Sequence, residues 1–437
     1  MEPHPIRMVV EDDLERSRLT VFFRLLLAIP HIIWLILWSI AVFFVAILSW
    51  FIVLFTARLP EGLHGFSAAY VRYATHVYGY VLLAASPFPG FTGTEGTYPV
   101  DLEIDPPAPQ SRWKTAFRII LVIPALLVSA FLLGGPGGGG GGSSASGSED
   151  AYYWSGSAGL AFTIAFFAWF ACMVRGRMPN GFRDALAYSL RYGAQVYGYL
   201  FFLTDRYPHA DPRQNPVPTP PPPRTVELSA DEDLHRSRLT VFFRLLLAIP
   251  HLIWLVLWGI AVFFALIVGW FAALFLGRLP DGLHRFIGAY LRYSIHVLAF
   301  LTLVTNPFPG FTGTPGTYPV DLRVDPPEQQ SRWTIFFRLF LALPALFVDA
   351  ALSGLLWITA ILGWFASLVT GRMPAGLRAL GEWALGYYGQ TYGYLYLLTR
   401  RYPYSGPPAV DVPEAVEEPA PVDTWPEPPA PPSFSAS

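Results

Sequence analysis

Arginines and histidines at repeated positions are the residues of this chain that invite a chemical reading. An Arg-[Leu/Met]-Pro-x-Gly corner occurs four times, at Arg58, Arg177, Arg278 and Arg372. Guanidinium forks match phosphate oxygens, so the chemistry on offer is contact with lipid headgroups or another anion. Placement of positive charge where helices leave a membrane explains the same residues without a ligand. His31 and His251 each follow a proline inside a long apolar run, where an ionisable group is costly and often functional. A proton relay or a metal site is one reading. A neutral imidazole donating to a carbonyl freed by the proline kink is the other. In two further segments Arg72 with His76, and Arg292 with His296, form a stripe at helical spacing. Such a stripe places side chains at headgroup level, with a polar pathway as the alternative.

Signatures of catalysis fail on inspection. The glycine tract from Gly134 lacks the Gly-Lys-[Ser/Thr] of a phosphate-binding loop and does not lie between a strand and a helix. The sequence offers no paired carboxylates within an apolar run and no serine or cysteine nucleophile motif, so no catalytic, cofactor-binding or metal-ligating residue is assigned. Cys172 is the one cysteine, which excludes a disulfide framework and a thiolate metal cluster.

The 437 residues are 53% apolar, 16% aromatic and only 14% charged, against about 25% charged in ordinary soluble proteins. That places the chain in a membrane. The acidic first eighteen residues lack the basic start and cleavage site of a secretory signal, so the first apolar segment is expected to remain as an anchor. Nothing supports nucleic-acid binding.

The elements that must position these residues come from a repeat. LERSRLTVFFRLLLAIPHIIWLILWSIAVFF from Leu14 returns almost verbatim from Leu234, and fainter copies begin at Ser111 and Ser331. There are therefore four units. Each opens with a period-two segment containing Met8, Leu102, Leu228 or Leu322, which reads as a half-buried strand. A four-stranded cytoplasmic sheet is expected from them. A serine before each apolar run (Ser17, Ser111, Ser237, Ser331) marks a helix N-cap.

The first apolar run, Leu25 to Ala57, would be about 50 Å long as one helix, against a hydrocarbon core of about 30 Å. In unit two the run is interrupted after Leu133 by GGPGGGGGGSSASGSEDAYYWSGS, and a polar insert cannot leave its backbone unpaired in hydrocarbon. The run is therefore expected to turn there, and at Ser39, Gly259 and Ser353-Gly354 in the other units. Asp349, near such a turn, is expected to reach water. A third helix follows each corner, read as amphipathic and either lying along the interface or packing at the bundle edge. The position held by His76, Gln195, His296 and Gln390 is hydrogen-bonding throughout and predicts interhelical bonds.

The resulting fold class is an all-α integral membrane protein of four repeat units. Each unit has a short cytoplasmic strand, a transmembrane helical hairpin and an amphipathic third helix, about eight spans in all. The alternative is four long spans plus four crossing third helices. Units occupy residues 1–90, 91–208 with a Gly-rich insert at 134–157, 225–310 and 311–404. A Pro-rich linker at 209–224 and an acidic Pro-rich tail at 405–437 are expected to be disordered. By the positive-inside rule both termini are cytoplasmic, and basic charge carried almost wholly by arginine, with Lys114 the one lysine, suggests a bacterial genome, so a bacterial inner membrane is expected.

The pattern FFRLLLAIPHIIWLILW, then WFIVLFTARLPEGLHGF, then VRYATHVYGYVLL resembles the bacterial membrane family catalogued as domain of unknown function 4389. The resemblance covers nearly all of both halves. It implies a multi-pass membrane protein and brings no activity with it. The function expected is that of a non-enzymatic scaffold or accessory protein. Its partners would be the bilayer, anionic headgroups, and a protein engaged by the strands or the tail. The alternative is a small-solute or proton transporter or channel built from internal repeats.

Overall fold

The computed structural model describes residues 3–134, 159–214, 226–230 and 233–408. Unit one is β1 (Ile6–Val10), α1 (Arg18–Thr56) and α2 (Glu61–Val81). Unit two is β2 (Val100–Ile104), α3 (Arg112–Leu121), α4 (Ile123–Leu133), α5 (Leu160–Arg175) and α6 (Asn180–Leu200). Unit three repeats the first as β3 (Val226–Ala230), α7 (Arg238–Leu276) and α8 (Asp281–Leu301), and unit four follows with β4 (Val320–Val324), α9 (Arg332–Phe336), α10 (Arg338–Thr370) and α11 (Ala375–Leu395). The helices start where the serines place them, although only Ser111 accepts a side-chain cap bond, from the Lys114 N–H.

The expected helical hairpin is not formed. α1 and α7 are each uninterrupted over 39 residues, with Ser39 and Gly259 in mid-helix. A single small residue within an apolar helix costs only about 1 kcal/mol, too little to break it. In unit two Gly134 and Gly159 abut, so closely that a Cβ on Gly159 would lie 2.1 Å from the Gly134 nitrogen. The helix path resumes where it stopped, because α3 begins against the C-terminal end of α1 while α5 ends against its N-terminal end. Arg112 donates to the Phe55 carbonyl and Arg18 to that of Val174. The intervening insert lies outside the described residues. Among the described residues three helices are long and apolar enough to cross a membrane, or four if α3 and α4, bent by 46°, count as one.

Trp50, Trp169, Trp270 and Trp364 staple these long helices in antiparallel pairs. Their indoles donate to the carbonyls of Thr115, Val21, Ile335 and Val241, one position in each unit. Packing of α10 against α4 and α5 joins the two halves, so the long helices stand side by side in the order α1, α3–α5, α10, α7.

The third helices are a middle layer and not an exposed amphipathic surface. They pack on the long helices on one side and on the strands on the other, so α6 is buried along most of its length. The strands pair as two separate antiparallel ribbons, Met8 opposite Leu102 and Leu228 opposite Leu322, in place of the expected four-stranded sheet. Each ribbon rests on its own pair of third helices, β1 on α6 and β2 on α2, β3 on α11 and β4 on α8. Asp349 faces the interior of this packing, buried in α10, because the turn that would have brought it to water does not exist.

The starts of both segments expected to be disordered are packed. Tyr188 donates to the Ala210 carbonyl, Arg191 to that of Asp211 and Trp383 to that of Gly406. These buried side chains need acceptors, and the adjoining chain supplies them. Residues 215–225 and 409–437 lie outside the described residues.

Candidate functional site

The repeated interior feature is an arginine seven residues after each of the serines Ser17, Ser111, Ser237 and Ser331, inside α1, α3 and α7 and at the first residue of α10. Arg24, Arg118, Arg244 and Arg338 are each 1–2% exposed. Arg24 donates to the carbonyls of Tyr80 (2.8 Å) and Ala85 (3.1 Å), at the C-terminal end of α2. Arg118 does the same with Tyr199 and Thr204, Arg244 with Phe300 and Thr305, and Arg338 with Tyr394 and Thr399. Each guanidinium also lies 4.1–4.5 Å from the centre of the ring at the first of those residues. The last turn of a helix leaves carbonyls without partners and carries the negative end of the dipole. A buried cation there satisfies both, and the ring face adds a cation–π contact. The chain after each third helix turns through a left-handed residue, Leu83, Phe202, Leu303 or Leu397, at φ between 63° and 68°. Such strain at non-glycine residues persists where the surroundings over-determine it.

A second cluster ties the middle layer to the strands. In unit one Asp101 Oδ1 lies 2.7 Å from His76 Nε2 and accepts from the Leu102 N–H, while Oδ2 accepts from the Gly96 N–H at 2.6 Å. Arg72 donates to the carbonyls of Leu102 and Gly93 and to Glu95. Burial pushes the Asp101 carboxyl up, but His76 and the two backbone donors outweigh it and hold the group below its ordinary value. Arg292, His296 and Asp321 repeat the cluster in the second half. The stripe read as lipid-facing is thus an interior clamp, because the strands cover the face of α2 and α8 that the sequence leaves looking exposed. Asp101 and Asp321 carry no signal of their own, since an acid is ordinary at the polar positions of an alternating strand. The repeated Tyr-Pro-Val-Asp-Leu at 98–102 and 318–322 is the trace they leave.

Burial pushes the His296 imidazole down to about 4, although Asp321 pulls the other way and Arg292 adds to the fall. Its neutral form is therefore favoured in the folded state. Unfolded histidine protonates near 6.5, so this contribution is complete above that pH and is lost as pH falls towards 4. Replacing His296 by Gln, the residue unit four carries at Gln390, should shrink the loss of stability between pH 6.5 and 4 by about 3 kcal/mol. Thermal unfolding in detergent at both pH values measures it. Parallel pH profiles for parent and variant would contradict the assignment.

His31 and His251 are fully buried, with Nδ1 2.8 Å from the Tyr73 hydroxyl and 2.7 Å from that of Tyr293. Phe88 with Phe91, and Phe308 with Phe311, enclose the rings. The partner is thus a tyrosine, where the proline kink suggested a backbone carbonyl. α1 and α7 lie at opposite edges of the long-helix layer, so the structure does not bring the two histidines together. No group of three or more His, Cys, Asp or Glu capable of holding a metal occurs among the described residues. Gln195 bonds the backbone of Ile6 and His209, and Gln390 that of Tyr404. This position remains polar, but its partners are strand, aspartate and chain backbone where bonds to other helices were expected. Arg58, Arg177, Arg278 and Arg372 have exposed side chains at the ends of the long helices.

A cavity of about 450 Å³ lies among α1, α2, α4 and α6, lined by Tyr70, Tyr78, Ser129, Leu133, Gly193 and Tyr197 among others. Tyr388 stands in unit four where unit two has Gly193, and it stacks with Tyr392. The lining is largely apolar and carries no convergent set of charged groups.

A layered helical repeat with an apolar outer layer defines a candidate membrane protein. The chain belongs to the family described as domain of unknown function (DUF4389), which matches it in four tandem copies at residues 18–92, 153–210, 238–312 and 332–405. No curated protein and no solved structure matches it.

Proposed function

We propose that this protein is a non-enzymatic membrane scaffold or accessory protein of a bacterial inner membrane, with both termini cytoplasmic. The observation that carries the reading is the use made of its repeated buried charges. The Arg24 set caps helices and the Arg72–His76–Asp101 set fastens strands, so these groups hold layers in register instead of converging on a cavity. The exposed corner arginines Arg58, Arg177, Arg278 and Arg372 then contact anionic headgroups, and the acidic Pro-rich tail recruits a protein partner.

One observation favours transport as a second reading. Asp349 is 6% exposed within α10 and its Oδ1 has no hydrogen-bond partner among the described residues, and an acid in such a place is a default candidate for a proton path. Proton flux into proteoliposomes separates the two. The scaffold reading expects flux no greater than in empty vesicles, for the parent and for Asp349→Asn alike. It also expects a stoichiometric partner recovered from native membranes with the full chain and lost when residues 409–437 are removed. Flux above that of empty vesicles that Asp349→Asn abolishes would replace the scaffold with a transporter.

A further inference from the structure

The apolar helices have a length that membrane crossing does not explain. Large hydrophobic side chains are exposed on α1 from Leu19 to Phe55, about 54 Å of helix at 1.5 Å per residue. A hydrocarbon core is about 30 Å thick, and tilts of up to about 40° accommodate only some 39 Å. α7, its copy, presents the same excess, from Leu239 to Leu276.

The strands give an independent constraint. β1 leads into the N-terminus of α1 and β2 into that of α3, and these two points lie at opposite ends of the antiparallel pair that α1 makes with α3–α5. Yet β1 and β2 are hydrogen-bonded to each other along their whole length. Their ribbon therefore sits between the two ends, over the middle layer. Its outer face carries the ion pair of Arg7 with Glu103, 38% and 50% exposed. If the pair crossed a bilayer, this ribbon would stand level with the hydrocarbon. Exposed ion pairs do not persist there. The second half repeats the arrangement with β3 and β4.

We propose that the long helices do not cross the membrane but lie along it, as an in-plane raft of α1, α3–α5, α10 and α7 sunk into one leaflet. An α-helix with its side chains is about 10–12 Å across, against about 15 Å for half of the hydrocarbon core. One layer of helices thus fits within a leaflet, which suits α1 and α7 because they are apolar around nearly their whole circumference. The third helices then lie at headgroup level and the strand ribbons in water. The corner arginines mark the rim of the raft. The partner is the lipid of one leaflet, and the proposal rests on the reading of this chain as a membrane protein.

Leu26, Leu37 and Leu48 test it, since they follow one another at eleven-residue intervals on one face of α1 and are 62%, 54% and 51% exposed. A nitroxide is placed at each through a cysteine, in a Cys172→Ala background and also with the buried Cys172 kept. Depth is read in proteoliposomes from relaxation by oxygen against a water-soluble nickel chelate. The raft expects the three labels at one depth, within about 5 Å of each other. A crossing helix expects Leu37 deepest and the outer two near opposite surfaces, and that result overturns the raft while leaving the membrane reading intact. Water-like exposure at all three sites overturns both. As a second measurement, cysteines at Glu15 and Glu61, both exposed and at opposite ends of α1, should react with an impermeant thiol reagent from the same side of sealed vesicles. Labelling from opposite sides overturns the proposal.

Discussion

Arg24→Met and Arg338→Met should each destabilise the protein by about 3 kcal/mol, while Arg58→Met should leave stability unchanged. Methionine keeps much of the side-chain volume but removes every donor. In the first variant the carbonyls of Tyr80 and Ala85 lose a buried, charge-assisted partner, and the Tyr80 ring loses the cation beside it. In the second the same happens at Tyr394 and Thr399, and Gln330, which accepts from Arg338, loses its donor as well. Each hydrogen bond to a charged group contributes about 1.5–3 kcal/mol, and an orphaned buried acceptor adds its own desolvation. Lysine should rescue only part, because its single nitrogen replaces Nη1, which serves both carbonyls, but leaves without a donor the acceptors of Nη2, the Ser86 carbonyl in the first variant and Gln330 Oε1 in the second. Arg58 is exposed at its corner, so its loss removes no buried bond. Thermal unfolding of the purified protein in detergent is the measurement. Equal stability of parent and Arg24→Met would mean that the arginine serves only topology.

The parts of this architecture that repeat along the chain are legible in the sequence. Four units, four strand positions, four helix starts and four corners follow from spacing alone, because each is a local pattern that recurs. The expected hairpin does not form because the length of an apolar run, set against the thickness of a bilayer, does not by itself impose a turn, and α1 and α7 stay continuous over 39 residues. A small residue such as Ser39 or Gly259 permits a turn but does not impose one, and helix packing across the layer decides in favour of continuity. The Arg72–His76 stripe lies in the interior for a related reason. A helical stripe shows which residues share a face, and it does not show whether water, lipid or another layer covers that face. Here a ribbon contributed by residues some thirty positions further on, through Leu102 and Asp101, covers it. The Arg24 set is visible in the sequence as a recurring residue, but its partners are backbone carbonyls, and a carbonyl leaves no mark in a sequence.

The strands supply the other large effect. Leu102→Asp should destabilise the first half by several kcal/mol, as burial of an unpaired charge predicts. Leu102 is 1% exposed, opposite Met8 at the centre of its ribbon, and its carbonyl receives Arg72. Because the strands form two ribbons on separate helix pairs, the damage should be local. Hydrogen exchange should accelerate at residues 100–104 and leave residues 320–324 protected, and Leu322→Asp should reverse the pattern. Glu103→Asp, on the exposed face, should change neither. Equal loss of protection in both ribbons from either single substitution would show that the halves open as one unit. Unchanged stability in both variants would reduce the strands to linkers, and with them would go the constraint that keeps the long helices from crossing the bilayer.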